Sequence, residues 1–305
     1  MRRAHFGLAA FLLSASAASA ADCPAPKLEN HVQMTAIAMR DGSQIDAVPV
    51  SINGQQTQFL FDTGGIFTQI SAALAGQFQI PINRTSDALV DVTGRQAAGL
   101  AMIHEFRIGR QARNDVPLPI SPDPVVTTGL FSLNDMTPYD AEVDFGANVL
   151  KLFSQDHCPG VTAMPPSAAV IPFSLKNGHI TMTVTLDGKP VIAILDTGST
   201  GTNLRADVAK NIFGLSLGGP DTPENGQLEG VAGLVTYGHV FGNLALGAIP
   251  VANPHVTIIP DHANDGSAIT LGGPELIIGM NVLKTLHIYF AFREGKMYVS
   301  QAFAS

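Results

Sequence analysis

Two short runs of this sequence carry the residue types for acid–base chemistry at matched places: Asp62-Thr63-Gly64-Gly65 and Asp196-Thr197-Gly198-Ser199. The aspartates stand 134 positions apart (62 to 196), as do the turn glycines (54 to 188) and the Ala-Gly pairs ending at Gly99 and Gly233. His104 and His239 follow at an offset of 135. So constant a spacing marks an internal duplication, and a fold that sets the two copies face to face brings the two carboxylates together. Two carboxylates in close contact cannot both ionise cheaply, so they share a proton, one acting as base and the other as acid. Such a pair can take a proton from a water while donating a hydrogen bond to the carbonyl that the water attacks. That chemistry requires no metal, no cofactor and no covalent intermediate.

The elements that must position these residues are legible on both sides. Val48, Val50 and Ile52 alternate as in a half-buried strand, and Asn53-Gly54 is a strong hairpin turn. The returning strand, Phe59-Leu60-Phe61, ends in Asp62. In the second copy Met182 to Leu186 leads through Asp187-Gly188 into Ile192-Ala193-Ile194-Leu195 and then Asp196. Both returning strands are nearly all apolar, which predicts burial on both faces. Short helices are expected over Ser71 to Gln77, over Ala206 to Phe213 and for a turn or two after Asn281. The segment Pro159 to Ala169, with Pro165-Pro166, reads as a connection between two lobes.

Two Asp-Thr-Gly triplets, each ending an apolar strand in equivalent places of a duplicated chain, resemble aspartic proteases of the pepsin and retropepsin type. The resemblance spans roughly residues 35 to 153 and 170 to 300. It extends to Leu276-Ile277-Ile278-Gly279, similar to the retropepsin element that crosses behind the active-site loop before a short helix. The first half offers Leu130-Phe131-Ser132 there, with Ser132 in place of Gly279. The family likeness implies an all-β, bilobal fold of two retropepsin-like barrels with the catalytic Asp62 and Asp196 in a central cleft. It implies that Thr63 and Thr197 reach across to the opposite loop, and that Gly64 and Gly198 let the backbone turn beneath the carboxylates. Ser199, where the first copy has Gly65, is expected to donate a hydrogen bond to the outer oxygen of Asp196, leaving the shared proton mainly on Asp62. Thr93-Gly94-Arg95 looks like the tip of a hairpin flap over the substrate. The function implied is endopeptidase cleavage of a peptide or protein substrate by a monomer. Gly65 and Ser132 keep a second reading open, a catalytically silent peptide-binding module on the same fold.

The rest of the chain sets the compartment. Of its 305 residues 46% are hydrophobic and 14% charged, with 30 glycines and 20 prolines, which favours many short strands over long helices. The net charge of -8, without a basic block past the first residues, leaves no footprint for nucleic acid. Arg2-Arg3, an apolar run from Phe6 to Leu13 and Ala18-Ser19-Ala20 form the parts of a secretory signal peptide over residues 1–20. Its apolar run is too short to span a bilayer, and none of spanning length follows. Export is therefore expected, to a periplasm rather than the exterior, with no membrane insertion after signal removal. In an oxidising compartment Cys23 and Cys158, the two cysteines of the chain, are expected to form a disulfide. The division that results is a first lobe over 21–158, a linker over 159–169 and a second lobe over 170–305. His104-Glu105 lacks the second histidine of a zinc-protease motif, Ile108 standing in its place.

Overall fold

Both predicted turns form with both central residues at positive φ, Asn53 and Gly54 in the first copy and Asp187 and Gly188 in the second. That is the backbone geometry whose twist joins two adjacent antiparallel strands. The computed structural model describes residues 24–39, 42–84, 99–122, 126–228, 233–260 and 274–302. In the first lobe the hairpin joins Gln44–Ile52 to Gln55–Asp62; in the second it joins His179–Leu186 to Lys189–Leu195. Each returning strand then acquires a parallel neighbour from far along its own lobe. Leu60, Phe61 and Asp62 pair with Leu130, Phe131 and Ser132, and Ala193, Ile194 and Leu195 pair with Leu276, Ile277 and Ile278.

The result is bilobal and almost entirely β. Among the described residues, an eight-stranded barrel-like sheet forms the first lobe and a ten-stranded one the second. A six-stranded sheet lies between them. It takes Leu28–Gln33, Val149–Phe153 and Asp140–Asp144 from the first half, and Leu286–Ala291, Lys296–Gln301 and Ala169–Pro172 from the second. The halves meet where Ala141 pairs with Phe290 and Val143 with Ile288. One continuous apolar core runs through both lobes and this sheet, with Phe59, Phe61, Phe106 and Phe131 fully buried on the first side.

The helices fall where expected, Ala72–Gln77 with Ser71 as its N-cap, Ala206–Phe213, and Met280–Leu283. Residues 154–168 carry no helix or strand, and Ala169, the last residue of the expected connection, already begins the strand Ala169–Pro172. Burial of the aspartate strands departs from expectation. Phe59 and Phe61 are buried but Leu60 only half so, and Ile192 is exposed while Ala193, Ile194 and Leu195 are buried. Successive side chains alternate across a strand, so Phe59 and Phe61 share the packed face while Leu60 points to the other.

Asp46, on the first strand of the first hairpin, is buried, with Oδ2 unpartnered. The Asn148 amide, with its nitrogen turned inward, donates to Asp46 Oδ1 (3.2 Å) and to Phe145 O (3.1 Å). Burial pushes the Asp46 carboxyl up from 3.8 to about 6. A raised carboxyl stabilises the fold fully below its unfolded value, and that contribution is lost as pH rises through its folded value. Asp46→Asn is therefore expected to stabilise the protein by about 1–3 kcal/mol at pH 8 and to change little near pH 4. Thermal melts at the two pH values check this; equal shifts at both would refute it.

Candidate active site

Asp62 is the last residue of its strand and Asp196 directly follows its own, so both carboxyls stand at the ends of β-strands whose last residues pack into the core. Each is held by backbone N–H groups of its loop. Gly65 N–H donates to Asp62 Oδ1 (2.8 Å) and Gly198 N–H to Asp196 Oδ1 (2.8 Å).

The loops interlock through their threonines, which are nearly inaccessible to solvent. Thr63 N–H donates to Thr197 Oγ1 (2.9 Å), and Thr197 Oγ1 donates to Phe61 O (2.7 Å). The other half repeats this: Thr197 N–H donates to Thr63 Oγ1 (3.1 Å), and Thr63 Oγ1 donates to Leu195 O (3.0 Å). Four reciprocal bonds thus fix one loop against the other. The third residue of each triplet has to be glycine for a steric reason. A Cβ at position 64 would lie 2.3 Å from the Asp196 carboxyl carbon, and one at position 198 would lie 2.6 Å from Asp62 Oδ1. Each glycine gives way to the opposite aspartate.

The two carboxyls crowd the same loop glycines, Asp62 Oδ1 and Asp196 Oδ1 both flanking Gly198, and both are raised above the ordinary carboxylate value. Burial, followed by the Asp196 charge, pushes Asp62 up to about 7. Burial also raises Asp196, but the N–H groups of Gly198, Ser199 and Gly64 and the interaction with Asp62 all favour its charged form. Their interaction raises Asp62 and lowers Asp196, which favours Asp62 as the carrier of the shared proton.

The expected cause is not the one at work. The Ser199 hydroxyl donates to Gly201 O (2.8 Å) and accepts from Asn203 Nδ2 (2.9 Å), so it does not serve the outer oxygen of Asp196. It is the backbone N–H of Ser199 that contributes. Thr93, Gly94 and Arg95, the expected flap tip, lie outside the described residues, as do Cys23 and the signal segment. Cys158 is not a free thiol. His104 meets Asp115 (3.2 Å) and His239 meets Asp221 O (2.6 Å), each on an exposed strand segment.

His179 is a site residue that sequence reasoning missed. Its ring lies beside Asp62 and the Gly64 backbone, with Nδ1 buried and unpartnered, and burial holds it below the usual histidine range despite the pull of the Asp62 charge. A signal existed: at the same 134 offset the first copy has Ile45, so the duplication exchanges an apolar residue for a titratable one.

Residues 48–135 and 182–282 match the family of aspartyl proteases, and each matched stretch contains one triplet. The chain belongs to the aspartyl protease family. Among solved structures it is similar to basic 7S globulin from soybean, with a TM-score of 0.52 at 10% identity over 92% of this chain and 96% of that one. At that identity the likeness concerns the fold alone, which the two chains share over nearly their full length. No curated protein matches at a significant level.

Proposed function

We propose that this aspartyl protease is an active endopeptidase that hydrolyses peptide bonds of exported or cell-envelope polypeptides through a water activated by Asp62 and Asp196. The observation carrying the proposal is the convergence of two carboxyls on the same pair of glycines, on crossed, threonine-locked loops. Asp196, ionised and richer in N–H donors, serves as the base that takes a proton from the water. Asp62, protonated, donates to the peptide carbonyl as charge develops on its oxygen. Ile66 and Phe67, exposed directly after the first triplet loop, offer apolar surface for a substrate side chain beside the carboxyls. An extended peptide would add main-chain hydrogen bonds along the cleft.

The same proposal includes a signal peptide over residues 1–20, delivery to a periplasm, a Cys23–Cys158 bridge and a flap carrying Thr93, Gly94 and Arg95. Among the described residues no helix is long and apolar enough to cross a membrane. Both carboxyls belong to one chain, so activity per molecule should not change on dilution through the micromolar range. The test is incubation of the chain from Ala21 with an unbiased peptide library from pH 3 to 8, read by mass spectrometry, which also reports the bridge. Cleavage at constant specific activity is expected. Silence at every pH, together with retained binding of pepstatin, would favour a peptide-binding module instead.

A further inference from the structure

The two lobes distribute one serine and one glycine in opposite ways. Leu133 N–H donates to Gly65 O (3.4 Å) in the first lobe, as Met280 N–H donates to Ser199 O (2.8 Å) in the second. Gly65 and Ser132 therefore occupy the places of Ser199 and Gly279. The second lobe cannot hold a side chain at position 279, where a Cβ would fall 2.1 Å from Gly201 O and 2.7 Å from Ser199 O. The first lobe carries a serine there, and its glycine is at position 65 instead.

What that serine faces is the point of interest. A Cβ at Gly65 would lie 2.6 Å from Asp62 Oδ2 and 2.6 Å from Ser132 Oγ. The hydroxyl and the carboxylate oxygen thus flank the same glycine, no further apart than twice that distance. Asp62 and Ser132 are paired in a parallel ladder, which turns both side chains to one face. Ser132 is fully buried and its Oγ has no hydrogen-bond partner, although its N–H is bonded to Thr68 Oγ1 (3.0 Å). A buried hydroxyl left unbonded is costly, and such a group in a native fold calls for an acceptor. Ser199, by contrast, has both its donor and its acceptor occupied.

We propose that Ser132 is a positioning residue of the dyad, its hydroxyl donating to Asp62 Oδ2 while Gly65 N–H holds Oδ1. The role that the residue after a triplet could have played is thereby taken over by the strand that crosses behind it. Any side chain at position 65 would wedge between the two oxygens, which gives that glycine a reason. This inference rests on Asp62 being a member of the dyad, but its test does not depend on turnover. The titratable groups that face Asp62 are Asp196 and His179; beyond Thr68, Asp135 is paired with Arg113 (2.7 Å).

The experiment is a carbon-13 NMR titration of the Asp62 carboxyl in the full mature chain carrying Asp196→Asn, where Asp62 titrates without its partner's charge. A donor to the ionised carboxylate lowers the midpoint, so Ser132→Ala should raise it by about one pH unit. Ser132→Gly, the second lobe's own choice, should do the same and serves if the alanine variant folds poorly. Ser132→Thr should restore the parental midpoint. An unchanged midpoint in the alanine and glycine variants overturns the proposal, as does an equal rise in the threonine variant. A chain found inactive on all peptides would still answer this question, and an active one could still fail it.

Discussion

Replacing Asp62 or Asp196 by asparagine is expected to reduce kcat/KM for peptide cleavage by about a thousandfold or more, since each substitution removes one half of a proton-transfer pair. The pH dependence follows from the direction of the shifts. Asp62 must carry its proton to act as the acid, and it sits at about 7, so cleavage should decline as pH rises through about 7. On the acid side activity should fall as Asp196 takes up a proton, because the pair then holds two protons and has no base. The same shift has a consequence for stability. A carboxyl raised from 3.8 to about 7 stabilises the fold fully below 3.8 and loses that contribution as pH rises through about 7. Asp62→Asn should therefore be inactive yet melt higher than the parent at pH 8, by on the order of 5 °C, and not at pH 3. Retained cleavage in either asparagine variant would sink the dyad reading. A melting temperature of Asp62→Asn that is unchanged at pH 8 would show that the carboxyl is not under the strain its burial implies.

Legibility in the sequence tracked how local the cause was. The two hairpins were readable because Asn53-Gly54 and Asp187-Gly188 each force positive φ between alternating apolar residues, a signal contained within about ten positions. The dyad was readable for another reason: the 134-residue repeat supplied a second copy against which each triplet could be checked. The six-stranded sheet between the lobes went unseen, because its strands come from four separate stretches of the chain and no periodic pattern announces that Asp140–Asp144 pairs with Leu286–Ala291. Its polar face was hidden likewise, with Asp140 against His157 (2.7 Å) and Tyr289 (3.2 Å), and Glu142 against Lys151 (2.7 Å) and His287 (3.1 Å). Ser199 shows where inference by analogy of position breaks down. Its place after the triplet was legible, but its hydroxyl is claimed by Gly201 and Asn203, residues whose approach depends on the turn that follows.

Thr197→Val should be the most damaging single change that touches neither carboxyl. Valine matches threonine in shape, so the packing of this buried position survives, but two backbone groups lose their partners at once. Thr63 N–H loses its acceptor and Phe61 C=O loses its donor, both in the interior. Each unsatisfied buried group costs about 1–3 kcal/mol, so a loss of about 2–5 kcal/mol is expected. For a chain of this size that corresponds to a fall in melting temperature of about 5–15 °C. Thr63→Val breaks the mirror-related pair, Thr197 N–H and Leu195 C=O, and should cost a similar amount. The double variant should cost less than the sum of the two, because the bonds form one network that the first substitution already loosens. Thr197→Ser, which keeps the hydroxyl, should stay close to the parent in stability. Its kcat should also stay close, whereas that of Thr197→Val should fall, since the loop it releases carries Asp196, the base in the proposed reaction. If valine and serine at position 197 prove equally stable, the lobes are held in register by the sheet between them and not by the crossed threonines. The carboxyls would then depend for their separation on strands that meet well away from the cleft.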